Sequence, residues 1–161
     1  MQDTDENRIK KLENEVRSVN ERITTITGKL DEQTRDFEDY NKDNTLILVS
    51  AVEAMSIMRY YDSSSGQTKL SDLDGVFSCL TRLREIRQAT RFPGLREFTL
   101  EREKIVSGAL LVLAKNKNIG ANELFARGLA ESGKENFMFS MEDVASVFGT
   151  EEAVRWQQLL E

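Results

Sequence analysis

The sequence predicts an all-α protein in which an N-terminal coiled-coil helix precedes a small multi-helix domain. Apolar residues recur at alternating spacings of three and four through the first forty positions. No run of alternating apolar and polar residues is long enough for a useful strand, and the 161 residues include only one proline and nine glycines. We therefore expect a coiled-coil oligomerisation helix over residues 1–43 and a compact α-helical domain over residues 44–161.

A narrow apolar stripe defines the N-terminal helix. A repeat of 3.5 residues keeps one seam facing a partner helix, and the flanking positions are Arg, Glu, Asn, Lys and Thr. A helix that packs on its own domain needs a broader apolar face, so intramolecular packing is the alternative interpretation. The predicted oligomer interface, with Ile9 at heptad position a, consists of Ile9, Val16, Ile23, Leu30 and Phe37 at a and Leu12, Val19, Ile26 and Tyr40 at d, with Gln33 at the remaining d position.

The expected partner of this helix is another copy of the same chain. Leu12 at d favours two strands, whereas the β-branched Val19 and Ile26 at d favour three or four. A trimer or tetramer is therefore slightly favoured over a dimer. The charged g and e positions include a single favourable pair, Arg8 with Glu13, so charge does not fix the strand direction.

Residues 41–45 mark a change of character. Asp43, Asn44 and Thr45 are good N-cap residues, and Leu46 begins a segment that is apolar on nearly every side to about Tyr61. Such a helix is expected to be buried at the centre of the domain. The heptad register also continues into this segment, so one unbroken helix of roughly 80 Å is the alternative to a break.

Five further helices are expected after a flexible loop at residues 62–68. The break at Phe92-Pro93-Gly94 is the strongest in the chain, and capping residues mark several helix starts. The first predicted helix is capped by Ser71, and its apolar face consists of Leu73, Val76, Phe77, Leu80, Leu83 and Ile86. The second runs from Leu95 to about residue 115, with the apolar residues Phe98, Ile105, Ala109, Leu110, Val112 and Leu113. Three short helices follow at 121–131, at 141–148 after the Ser140 cap, and at 151–160 after the Thr150 cap, and the last is expected to pack through Val154, Trp156, Leu159 and Leu160.

Charge is unevenly distributed along the chain, whose net charge is −6. Residues 1–43 carry 8 basic and 12 acidic side chains (−4), residues 71–118 carry 9 and 6 (+3), and residues 119–161 carry 3 and 8 (−5). Arginine forms bidentate contacts with phosphates and carboxylates, so a basic face would suit nucleic acid or an acidic protein. The alternative is that the arginines pair with the acidic flanking helices. The arginines of this predicted anionic-partner face are Arg82, Arg84, Arg87, Arg91 and Arg96.

The composition argues against catalysis. The chain has no histidine, so the usual general base and the common zinc ligand are missing. Residues 128–134 match the spacing of a phosphate-binding loop, but Glu135 stands where that loop needs Ser or Thr, and a helix is expected before it. We therefore predict no catalytic residue, no metal site and no cofactor.

The single Cys79 lies within an apolar periodic run and is expected to be a small buried hydrophobe. No apolar run approaches the length of a membrane span, and the acidic N-terminus is unlike a signal peptide. An intracellular, cytoplasmic protein with no membrane contact is expected. The predicted function is a non-enzymatic homo-oligomeric scaffold or assembly cofactor whose domain binds a macromolecular partner, and the alternative is an oligomeric nucleic-acid-binding protein.

Overall fold

A computed structural model describes residues 2–161, with side chains described from Thr4 onward. Met1, the first residue of the acidic N-terminal stretch, lies outside the described residues. The all-α prediction is confirmed, because the described chain contains helices and no strand. The elements in order are α1 (Gln2–Ser63), a 3₁₀ turn (Leu70–Leu73), α2 (Asp74–Ala89), α3 (Pro93–Asn116), α4 (Ala121–Ser132), α5 (Met141–Phe148) and α6 (Thr150–Leu160).

The chain divides into two compact units, Met1–Lys42 and Asp43–Glu161. The predicted break at residues 41–45 does not occur, because α1 is helical throughout this stretch. Asp43 caps no helix; its carboxylate accepts a hydrogen bond from Thr90 Oγ1 at 2.8 Å. A good capping residue can therefore lie inside a helix when its side chain finds another partner.

In the second unit, the end of α1 is buried on one face only. The expectation that residues 46–61 form a fully buried central helix is therefore wrong. The side chains of Ile47, Ala54 and Met58 are buried, whereas Val49 and Val52 are more than half exposed. An apolar residue on every side of a helix can thus leave a substantial apolar surface uncovered.

Helices α2 and α3 pack closely along their lengths and form the framework of the second unit. Ser71 was expected to cap α2, and this is wrong: Ser71 lies in the 3₁₀ turn, where Asp72 accepts a hydrogen bond from the backbone N–H of Lys69 at 2.9 Å. Helix α3 begins at Pro93 and not at Leu95. Proline suits a first helical position because its missing N–H would have no helical partner there.

The main core is closed by an aromatic cluster around Trp156, which is fully buried. Phe125 and Phe137 place their ring centroids 5.2 and 6.0 Å from that of Trp156. Gly128 is essential to this packing, because a Cβ atom there would lie 2.9 Å from Phe139 Cε2. The glycine that fits a phosphate-loop spacing therefore serves a packing role.

The C-terminal helices confirm one predicted cap and contradict another. Ser140 caps α5, since its Oγ accepts a hydrogen bond from the backbone N–H of Asp143 at 3.1 Å. Thr150 lies inside α6, and the cap position belongs to Gly149, whose φ of 99° is favoured only by glycine. The predicted packing face of α6 is also partly wrong, because Val154 and Leu159 are exposed.

Candidate functional site: the exposed seam and the arginine segment

The predicted interface residues of α1 form a continuous exposed row, which we call the seam. All nine side chains, from Ile9 to Tyr40, are between 42% and 66% exposed. They lie in the first unit on an unbroken helix, and Thr24 and Thr25 direct their hydroxyls to backbone carbonyls four residues earlier at 3.0 Å. The helix therefore holds large apolar side chains in water at the spacing that a partner helix requires.

Such a row is unusual for an isolated chain. Single exposed apolar residues are normal on protein surfaces, but a contiguous apolar surface marks a binding site or an aggregation liability. The polar flanks of the seam limit it to the width of one helix contact. The seam thus offers one narrow apolar surface along the helix.

The same heptad positions change role in the second unit. Ile47 and Ala54 at d and Ala51 and Met58 at a are buried within that unit. These positions are occupied by the chain's own core, so they are not free to face another helix. A coiled coil based on the a and d positions must therefore end near residue 44.

The predicted arginine face consists of residues that already have partners. Arg82 Nη1 lies 3.1 Å from Glu53 Oε2. Arg87 makes a bidentate contact with Glu103, with Nε 2.6 Å from Oε2 and Nη2 3.4 Å from Oε1. Neither glutamate lies in the acidic N-terminal or C-terminal segment, so these two arginines are paired within the chain but not with the acidic flanking helices.

The other three arginines are also engaged. Arg84 Nη2 donates to the carbonyl of Glu131 at 3.0 Å, and Arg96 Nε donates to the carbonyl of Thr90 at 3.0 Å. The guanidinium of Arg91 lies 4.7 Å from the centroid of the Phe92 ring. Phosphate binding through these groups would have to compete with the existing contacts.

A second arginine network joins α2 to α4, and sequence reasoning missed it. Arg127 binds Asp74 at 2.5 Å and Glu131 at 2.9 Å, and its guanidinium stacks 4.5 Å above the Phe77 ring. The spacing of Arg127 and Glu131 by four residues was the available signal. The contact with Asp74, 53 residues away, has no signature in one sequence.

The titratable groups with shifted pKa values in the domain include Cys79 and Glu152. Cys79 is fully buried, as expected, and burial raises the pKa of its thiol, with the nearby Glu53 carboxylate raising this pKa further. Hydrogen bonds from Arg155 and Trp156 lower the pKa of Glu152, with the Arg155 contact the larger cause. Within residues 4–161, no three His, Cys, Asp or Glu side chains converge as metal ligands.

Comparisons with known proteins add no further constraint: no family model, curated protein or solved structure matches this chain. Across residues 2–161, none of the helices combines the length and the apolar character of a membrane span.

Proposed function

We propose that the protein is a non-enzymatic, homo-oligomeric scaffold that self-associates through the seam and presents its helical domain to a macromolecular partner. The observation that carries this proposal is the exposure of all nine seam residues at coiled-coil spacing. The absence of histidine from the sequence supports a binding role over an acid–base enzyme.

A three- or four-stranded coil is the form of self-association that we propose. Val19 and Ile26 occupy d positions, where β-branched side chains suit the geometry of higher oligomers better than that of dimers. Gln33, also at d, interrupts the apolar row once and favours the register in which the glutamines of all strands meet.

Oligomerisation would serve the domain through avidity. Linked copies present the same surface several times, so a contact that is weak in one chain becomes strong in the assembly. The partner is proposed to be a protein, because the arginines that would suit nucleic acid are engaged in contacts within the chain.

Light scattering coupled to size-exclusion chromatography tests the proposal on the full-length chain at low micromolar concentration. The wild type is expected to have the mass of three or four chains. A seam variant, Val16→Lys with Ile23→Lys, is expected to lose this mass, because burying two ammonium groups per strand at a positions costs more free energy than the coil gains there.

Asn14→Lys with Glu21→Lys provides the matched control. It adds two lysines at outer f positions, each two residues before a substituted seam position, where they stay in water, so the oligomer is expected to persist. A monomeric wild type, or equal masses for the seam variant and this control, would remove the self-association proposal.

A further inference from the structure

A small pocket lies within the unit Asp43–Glu161, between α2, α3 and the segment that leads into α5. Two arginines of the predicted anionic-partner face, Arg84 and Arg87, line it from α2, and Lys104 lines it from α3. The fold thus joins two members of that face with a lysine outside it, in one concave site.

Three basic and two acidic side chains line the pocket, which gives it a net charge of +1. The acidic ones are Glu103 and Asp143. Glu103 is already neutralised, because Arg87 holds it in the bidentate pair described above. Asp143 lies beside Gly108, since its Oδ2 is 3.7 Å from the position of a Cβ there, and Gly108 is about 6 Å along the axis of α3 from Lys104. The excess positive charge therefore belongs to the part of the pocket between these two carboxylates.

The cations that carry this excess are Arg84 and Lys104. Arg84 donates from Nη2 to the backbone carbonyl of Glu131 at 3.0 Å, which is a neutral acceptor. Within residues 4–161, neither Arg84 nor Lys104 forms an ion pair. Hydrogen bonds between an ammonium or guanidinium group and an anion are stronger than those to neutral groups, so this site favours an anion as its occupant.

The rest of the lining favours a small organic anion. Leu80 and Leu100 line the pocket from the two helices, and Phe137 and Met138 line it from the segment before α5. Ser107, which is 4% exposed, also lines it. The volume of about 180 Å³ is that of roughly six water molecules, and it lies below the roughly 300–1,000 Å³ of sites for drug-sized ligands. A ligand of about six non-hydrogen atoms with an apolar part fits these walls.

We propose that this pocket binds a small aliphatic monocarboxylate. The Lys104 ammonium and the guanidinium of Arg84 hold the carboxylate, and the aliphatic part packs against Phe137 and Met138. A single negative charge neutralises the net charge of the pocket. The pocket belongs to the unit Asp43–Glu161 alone, so this proposal is independent of self-association through the seam.

Ligand-observed NMR on the full-length chain tests the proposal, because the line widths of ligand protons report binding whatever its heat. Butanoate, which has six non-hydrogen atoms, is the probe, with an expected Kd of about 1 mM. Acetate carries the same charge but lacks two methylene groups, so it is expected to bind roughly tenfold more weakly. Butylammonium has a similar chain and the opposite charge, and it is expected not to bind.

Single substitutions locate the site. Lys104→Met is expected to weaken butanoate binding by about tenfold or more, because it removes one of the two cations. Lys115→Met is the matched control, since Lys115 is also an exposed lysine on α3 but does not line the pocket. Leu100→Trp is expected to abolish binding by filling the pocket while leaving every charge in place. Circular dichroism on each variant verifies that the fold is retained.

Three results would overturn the proposal. One is unchanged butanoate line widths up to about 50 mM, well above the expected Kd. The second is butylammonium binding as tightly as butanoate, which would show that the site does not select an anion. The third is equal affinity of Lys104→Met and Lys115→Met for butanoate, which would place the binding elsewhere. The mass of the wild type is unaffected by these outcomes, so the scaffold proposal is judged separately.

Discussion

Replacing Ile23 with alanine tests how much the seam contributes to assembly. Ile23 is 55% exposed in the single chain. Complete burial of such a side chain stabilises by about 1.5–3 kcal/mol, so covering its exposed part contributes about 1 kcal/mol per chain. Because every strand of the coil carries the substitution, we expect a trimer to lose about 3 kcal/mol, which corresponds to a roughly hundredfold weaker association.

The assay is sedimentation equilibrium across a range of concentrations, with Glu21→Ala as the control. Glu21 lies at an outer f position two residues earlier, and alanine favours the helix at both sites, so helix propensity does not separate the two variants. The size of the effect also depends on strand number, because a dimer would lose about 2 kcal/mol. Equal association of Ile23→Ala and Glu21→Ala would refute the idea that the seam is the contact surface.

Three predictions concern the domain, and urea unfolding measures each of them. Gly128→Ala should destabilise the domain by about 1–3 kcal/mol through overpacking, because the new Cβ would lie 2.9 Å from a carbon of the Phe139 ring. Gly94→Ala is the control and should not destabilise the domain, because a Cβ at that position has no atom within 4 Å. Arg87→Met should lower the free energy of unfolding by about 2 kcal/mol, because the Glu103 side chain, which is only 14% exposed, would lose its ionic partner. An unchanged free energy of unfolding would mean that Arg87 is free for an external ligand. Glu152→Gln should lower stability at pH 7 by about 0.5–1 kcal/mol. Glutamate titrates near pH 4.3 in an unfolded chain and lower in this fold, so the advantage of the wild type is complete above that pH and should vanish as the pH falls through the lowered pKa; an advantage that persists at pH 2 would contradict this reasoning.

The elements of the fold follow from local patterns, and this explains which of them the sequence could predict. The face of α2 recurs every three to four residues, so Val76, Phe77 and Leu80 could be assigned to the core and are buried. Ser140 could be assigned as a cap because the cap and its backbone partner are three residues apart. The heptad spacing of α1 likewise identified a row that is exposed in the single chain.

The features that escaped prediction depend on contacts between distant residues. Asp43 is a capping residue by type, but Thr90 provides a tertiary partner for it and the helix continues. Phe137 and Phe139 lie between helices, where periodicity gives no signal, although both pack in the aromatic cluster of Trp156. The exposure of Val52 could not be predicted either, because it depends on how far apart α1 and α3 lie.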